Sequence, residues 1–548
     1  MLFWHFTRKF FSSCVGLFLL GFFVVFASCN SAQTDVVEED KAYSLLDFND
    51  TIQEFVQEPD YLFFLLDNFK NDTALRHASL AYVIYNISQD TLIASHNAHT
   101  SLVPASILKL FTTATALELL GSGLRFRTRL CYQGHIRDSI LHGDIIILGG
   151  GDPALGSGDY AQNNLVNNWA KHIRALGIDS ITGHIIADPR IFSIDAVPYT
   201  WSLGYLSLPY AAAAHGINIY DNTSTFSLGN ESRRGVVVPN KKIMQPCVPL
   251  QSFINEANQY TGKKGGLQLI ALHNAHYALI RGHFNADDKR VSLRTSIRDP
   301  GLLLAVQLYD ALNRDRKVVG GHALNIFFAD TLDIFEDSLH VLSTLFSPTV
   351  LSLINSVNEY SNNLFAEALI KHIGLRRYGL GHTEAGAKAI RQHWKSKGMD
   401  VDGMFIFDGS GLSRFNALSA YSFVELLKHM KQTPFFTDFY NSLAVSGQSG
   451  TLRNFCKNTI ASERVYAKSG TMSRIKSYAG YVHTLNDDTL AFALITNNFT
   501  CSLAEMTRKI EKMMIGMVMY NHHDSERQFM AREKDFNYST LIHRTEKK

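Results

Sequence analysis

Cysteine is scarce in this chain: six in 548 residues, none in a Cys-x-x-Cys pair. That excludes a disulfide scaffold and leaves a structural zinc site without support. Net charge is scarce as well. The 52 Lys and Arg against 50 Asp and Glu leave +2, so the basic surface that a nucleic-acid backbone demands is missing. Lys241-Lys242 and Lys263-Lys264 are too short to restore it. Histidine is plentiful, 22 in all, yet no two stand in a His-x-x-x-His pair, and metal catalysis finds no ligand set. Long apolar runs are also lacking; the main one, Val15 to Ala27, has 13 residues, short of the roughly 20 that span a bilayer. What remains is an ordinary globular balance, 46% hydrophobic and 19% charged, with length for about three domains.

The apolar run follows Arg8 and Lys9 and has the length of a signal-peptide core. It ends in Phe26-Ala27-Ser28-Cys29, which resembles a bacterial lipobox with Cys29 as the lipidated first mature residue; Phe26 departs from the usual Leu or Val. Cleavage without lipidation, nearer Ala32, is the alternative. Residues 1–28 thus read as a signal peptide and 29–43 as an acidic, solvated tether.

Leu45 to Val56 has helical spacing that Pro59 ends. Leu80 to Asn86 and Thr91 to Ser95 read as a hairpin. From Ser106 a 3.6-residue period runs to Leu120 and stops at Gly121, a C′ glycine. Between about Arg125 and Ala329 short β runs dominate: Arg127 to Tyr132, Asp144 to Leu148, Ile181 to Ala187, Gly235 to Pro239, Leu267 to Leu272 and His276 to Ile280. One helix, Leu165 to Leu176, interrupts them. Helical patterns return at Pro300 to Asn313, Asn355 to Gly374, Glu384 to Lys397 and Ala420 to Met430. Strands Arg464 to Ser469, Tyr478 to Leu485 and Thr489 to Thr496 then precede a helix from Leu503 to Met519. The expected organisation is an α/β module in two parts, 44–124 and 336–520, around a β-rich insertion, 125–335, of two subdomains. A polar tail, 521–548, closes the chain.

Three short motifs carry chemistry. Ser106-Ile107-Leu108-Lys109 opens the helix after Pro104-Ala105, and the three-residue spacing puts hydroxyl and amine on one face. A desolvated lysine there loses its proton and activates the serine. The copy Ser473 to Lys476 falls in a turn between strands and lacks that setting. Ser361-Asn362-Asn363 precedes a helix; its serine suits proton relay and its Asn363 amide suits a substrate carbonyl. Lys468-Ser469-Gly470-Thr471 lies on a late strand and offers a cation and hydroxyls for a carboxylate, with glycine for close approach. Taken singly, the first reads as an N-cap with a solvated lysine and the second as a helix cap.

In that order and setting the motifs resemble the penicillin-interacting serine acyltransferases. Flanking segments narrow the resemblance to the D-alanyl-D-alanine carboxypeptidase/endopeptidase family, the class C low-molecular-mass penicillin-binding proteins. They are Leu102-Val103-Pro104-Ala105-Ser106, Leu141-His142-Gly143-Asp144 with Gly149-Gly150-Gly151-Asp152-Pro153, Tyr360 to Asn363, Asp408 to Ser413, Ser449 to Leu452, Ala467 to Thr471, and Ala479-Gly480-Tyr481. The resemblance implies an α/β (α+β) transpeptidase-like domain split by a large β-rich insertion, which suits the 255 residues from Ser106 to Ser361. It implies a serine D-Ala-D-Ala carboxypeptidase, with endopeptidase action on cross-links, working on peptidoglycan stem peptides without a cofactor or metal and acylated by β-lactams. Ser106 is then the nucleophile and Lys109 its base, with Ser361, Asn363 and Lys468 catalytic and Ser469, Gly470 and Thr471 on the substrate carboxylate. The N–H groups of Ser106 and Thr471 would hold the oxyanion. The implied location is the periplasm, on a membrane through Cys29. Ser469 stands where Thr is commoner, and Ser202 to Leu208 lacks the acidic residue that some members direct at the stem peptide. No Glu-x-x-Leu-Asn follows Ser361, as a class A β-lactamase would need. A β-lactamase-like hydrolase and a catalytically silent wall-binding lipoprotein are the competing readings. Gly149 to Ala154 also fits a loose dinucleotide pattern, which Asp152 and Pro153 oppose. Cys131 and Cys247 are both in the insertion, where oxidation would permit a bridge.

Overall fold

The computed structural model describes residues 61–521, apart from 161–163, 230–234, 238–243, 250–251, 261–265, 272–276, 286–289, 317, 330–332 and 335. The expected signal segment, tether, Leu45 to Val56 helix and tail from His522 lie outside the described residues.

A six-stranded sheet organises the chain ends. Its strands are β1 (Ser79–Asn86), β2 (Thr91–His96), β3 (Ala444–Val445), β4 (Val465–Met472), β5 (Ile475–His483) and β6 (Thr489–Asn497). They lie in the order β3-β4-β5-β6-β1-β2, every pair antiparallel. All of β6 after its first residue is buried, because alternate residues face two different cores. Leu490, Phe492 and Leu494 pack with helices α1 (Tyr61–Lys70) and α7 (Leu503–Met519), among Leu66, Phe69, Ile510 and Met514. Ala491, Ala493 and Ile495 face the opposite core, built from α2 (Lys109–Leu120), α3 (Val350–Tyr360), α4 (Asn363–Tyr378), α5 (Thr383–Ser396) and α6 (Ala420–Lys431). Small residues on that face let the helices approach closely. Burying one large side chain such as Phe492 contributes roughly 1.5–3 kcal/mol, so the two-sided core dominates the stability of this part.

Helix α2 ends at Gly121, whose φ of 84° and N–H bond to the Leu117 carbonyl make it the expected stop. The chain then enters the β-rich insertion. Arg127–Arg137 and Ile140–Leu148 form a hairpin; Ile185–Asp188 adds in parallel to the second strand, and His340–Phe346 returns antiparallel to the first. Two further sheets hold Thr223–Gly229 with Arg290–Ser296, and Tyr277–Asn285 with its neighbours. The helices Leu165–Ala175 and Pro300–Leu312 complete a separate hydrophobic core running from Leu130 to Val319. The architecture is therefore a mixed α/β domain split by a β-rich insertion.

Two expectations need correction. Asn355 to Gly374 is two helices, because Ser361 takes a left-handed φ of 64° that ends α3, and Asn362 caps α4 by accepting the Phe365 N–H. The turn carrying Ser106 is 3₁₀ (Ala105–Leu108), and the α-helix starts only at Lys109. Cys131 and Cys247 are not bridged; Cys131 is buried beside Ile146, Ile186 and Ile326.

Candidate active site

The turn before Ser106 is held from three sides. Val103 exchanges two hydrogen bonds with the Asn497 amide, at 2.9 and 3.0 Å. Ser477 donates its hydroxyl to the Pro104 carbonyl at 2.5 Å, and Leu102 bridges Leu418. Ala105 then takes a φ of 50°, costly for a residue with a Cβ and sustained only by such surroundings. Close approach sets two glycines. A Cβ on Gly411 would come within 2.0 Å of the Ala105 carbonyl oxygen, and one on Gly470 within 3.0 Å of the Ser106 nitrogen. Strand β4 thus runs directly against the serine.

Lys109 is fully buried, and its Nζ has three neighbours: Ser106 Oγ at 3.0 Å, Asn363 Oδ1 at 2.6 Å and the Ser410 carbonyl at 2.5 Å. The last two are acceptors only. A neutral amine has two N–H groups and one lone pair; with the N–H groups on Asn363 and Ser410, the lone pair is left for the Ser106 hydroxyl. Burial lowers the Lys109 amine to about 7, against the opposing pull of Asp408 and Glu367.

Asn363, at the first position of α4, is fixed at both ends of its amide. Oδ1 accepts from Lys109, and Nδ2 donates to the Tyr210 carbonyl at 2.7 Å. The expected role for this amide on a substrate carbonyl therefore meets a prior occupant from the insertion. Ser361 is half-buried at the α3–α4 break.

Lys468 is fully buried and donates to the Ser469 carbonyl at 2.9 Å. Burial first, then the neighbouring Lys109 and Lys476, push its amine well below the ordinary lysine range. Ser469 donates to Thr451 Oγ1 at 2.9 Å, while Thr471 is exposed and accepts from Lys476 at 2.9 Å. Because β3 pairs only Ala444 with Ala467 and Val445 with Tyr466, the rest of β4 has no sheet partner on that side among the described residues.

The structure adds residues that the motifs did not name. Glu367, one turn into α4 and fully buried, accepts the Gly409 and Ser410 N–H groups at 3.0 and 2.9 Å and so holds the residue whose carbonyl meets Lys109. Burial and the nearby Asp408 push its carboxyl up. Asp408 accepts four bonds, from Gly411 N, Asn416 Nδ2, Ser413 N and Trp201 Nε1. That loop is a hydrogen-bonded turn with its carboxylate saturated. Four residues on from Glu367, Lys371 donates to the Ala196 and Ala214 carbonyls, fastening the insertion to α4. An acidic residue on an otherwise apolar stretch of α4 was the available signal for Glu367. Nothing local marks Tyr210 or Ser410, which act through their backbones. The Gly149 to Gly151 run is explained by packing: a Cβ at Gly149 or Gly150 would strike the Gly216 or Arg127 carbonyl at 2.3 or 2.0 Å. Ser473 and Arg474 are the β4–β5 turn, and Lys476 lies in β5 with its amine on Thr471. Among the described residues no His, Cys, Asp and Glu cluster is arranged for a metal ion, and no helix is long and apolar enough to cross a membrane.

Residues 64–519 match the profile described as the D-Ala-D-Ala carboxypeptidase 3 (S13) family. A D-alanyl-D-alanine carboxypeptidase of Actinomadura sp. (strain R39) is 27% identical over 79% of this chain and 80% of its own. The D-alanyl-D-alanine carboxypeptidase DacB of Haemophilus influenzae is 23% identical over 81% and 91%. The crystal structure of penicillin binding protein 4 (dacB) from Haemophilus influenzae superposes with a TM-score of 0.69 at 19% identity, covering 84% of this chain and 99% of that one.

Proposed function

Because this chain belongs to the D-Ala-D-Ala carboxypeptidase 3 (S13) family, a family of serine carboxypeptidases of the penicillin-binding class, we propose the following division of its reaction among its residues. Lys109 takes the Ser106 proton while Oγ bonds to the penultimate D-Ala carbonyl carbon of a peptidoglycan stem peptide. The N–H groups of Ser106 and Thr471 carry the oxyanion. Ser361 passes a proton to the departing D-Ala nitrogen as the C–N bond breaks and recovers, by way of Lys468, the proton that Lys109 took from Ser106, so that Lys109 is neutral again. Ser469 and Thr471 hold the terminal carboxylate, with Gly470 leaving room for the peptide. Asn363 keeps Lys109 aimed and, when Tyr210 yields its amide, meets the acyl-side carbonyl. Water then hydrolyses the acyl-Ser106 ester. A β-lactam forms the same ester and leaves slowly. Cross-link cleavage is the same chemistry with a larger leaving group.

The observation that carries this reading is the contact set of Lys109: two acceptor-only partners and one hydroxyl. Burial lowers that amine to about 7, and once neutral it keeps its two N–H groups on the acceptor-only partners and turns its lone pair to the Ser106 hydroxyl, which is the arrangement of a base. The test is intact-mass and peptide mapping after incubation with a fluorescent penicillin. One adduct per chain on the Ser106 peptide is expected, lost in Ser106→Ala with the fold retained; an adduct elsewhere, or labelling of Ser106→Ala, overturns the assignment.

The leader ending at Cys29 supports export and lipidation, with the enzyme in the periplasm on a membrane. We divide the chain accordingly into a catalytic domain of 44–124 and 336–520 and an insertion of 125–335. Mass analysis of the N-terminal peptide from native membranes, carrying diacylglycerol on Cys29 or starting near Ala32, decides between the two ends.

A further inference from the structure

The chain leading from α2 into the strand Arg127–Arg137 alternates strictly from Arg125 to Leu130: Arg125 and Arg127 are exposed and Arg129 half-buried, while Phe126, Thr128 and Leu130 are buried. In extended chain, residues two apart share a face, about 6.5–7 Å from one another. The three arginines therefore form a comb along one side of the strand. Arg376, near the C-terminus of α4, joins them on the wall of one cleft of about 510 Å³. The lining contains no carboxylate, and none of the four is ion-paired among the described residues. Arg125 is already oriented by one N–H bond to the Ser347 carbonyl at 2.9 Å.

Four unneutralised guanidinium groups in one concave site repel one another, and an anion relieves that repulsion. We propose that this cleft binds a phosphate-bearing ligand. Guanidinium forks match phosphate oxygens. A phosphate presents three oxygens to donors arriving from several directions, whereas one fork already satisfies both oxygens of a carboxylate. The cleft holds a few such groups and no duplex. Leu124, 42% exposed, and Leu375 line the same cleft, which suits phosphate carried on an amphiphile. Asn363 and Arg376 are 13 residues apart on α4, about 20 Å at 1.5 Å per residue, so the site is separate from Ser106 and rests on none of the catalytic assignments.

The test uses the full chain with tripolyphosphate as soluble probe, and vesicles of phosphatidylcholine with and without phosphatidylglycerol as the lipid source. Saturable tripolyphosphate binding is expected, weakened at least tenfold in Arg127→Ser/Arg129→Ser and in the single variant Arg376→Ser, with penicillin labelling at the wild-type level as proof of fold. Anionic-vesicle binding that falls in the same variants identifies a headgroup; tripolyphosphate binding alone identifies a soluble or polymeric phosphate. Absence of saturable binding to both probes, equal binding by all three proteins, or equally tight binding of tri-glutamate overturns the proposal.

Discussion

Replacing Lys109 by methionine separates what the site costs from what it does. Burial lowers this amine from 10.5 to about 7, a difference equivalent to about 5 kcal/mol at 1.36 kcal/mol per pH unit. At and below pH 7 the native state bears that cost, because the unfolded chain keeps the lysine charged and solvated. Methionine has similar length and no charge, so it removes the cost. It also strips the Ser410 carbonyl and Asn363 Oδ1 of their donor, at about 1–2 kcal/mol each. Lys109→Met should therefore be more stable than wild type by about 1–3 kcal/mol at pH 7. The pH dependence fixes the sign independently. Between about pH 7 and 10.5 the unfolded chain binds a proton that the native chain does not, so wild-type stability rises with pH by about 1.4 kcal/mol per unit. The advantage of the variant should shrink at that rate and vanish or reverse near pH 9. Urea unfolding of both proteins at pH 7 and 9, followed by tryptophan fluorescence, measures it, with penicillin labelling confirming loss of the base. An unchanged stability difference at the two pH values would refute the reasoning, since every other group titrates in both proteins.

The same amine governs rate: acylation by fluorescent penicillin should fall about tenfold per pH unit below about 7, and a profile flat down to pH 5 would remove Lys109 as base. Gly470→Ala places a Cβ 2.2 Å from Ser477 Oγ and 3.0 Å from the Ser106 nitrogen. Shifting the serine by a fraction of an ångström should slow acylation about 100-fold while circular dichroism stays unchanged. Glu118 contacts His429, His393 and Lys397 at 2.8, 2.9 and 3.0 Å. Burial pushes its carboxyl up, but the hydrogen bonds from these three prevail and bring it down to about 2. That stabilisation is full above 4.5 and lost as pH falls through about 2. Glu118→Gln should thus lower Tm at neutral pH and match wild type by pH 2 in calorimetry.

The main sheet was legible because its strands are short apolar runs bounded by turn residues, and α2 because its period ends at Gly121. The meeting of Ser106 and Lys109 was legible as spacing: their side chains come together through one turn. The α3–α4 break was not, since a left-handed serine leaves no trace in hydrophobic period, and both flanks are helical. Nor were the acceptors that fix the state of Lys109. Ser410 is 301 residues from it and acts through its carbonyl, for which any residue type would serve. Tyr210 is likewise a backbone partner, 153 residues from Asn363. Glu367 was visible as a letter, but its burial depends on tertiary packing.

The bonds that seat the insertion bear on when the enzyme becomes an enzyme. Tyr210 with Asn363, Ala196 and Ala214 with Lys371, and Trp201 with Asp408 join positions 153 to 207 residues apart. Contacts that distant in sequence repay the loop-closure entropy only once they have formed. Until those bonds close, Asn363 is not braced and the acceptor that it offers to Lys109 is not fixed. Seating the insertion and readying the site are thus linked through one side chain, Asn363, which holds the insertion with its Nδ2 and Lys109 with its Oδ1.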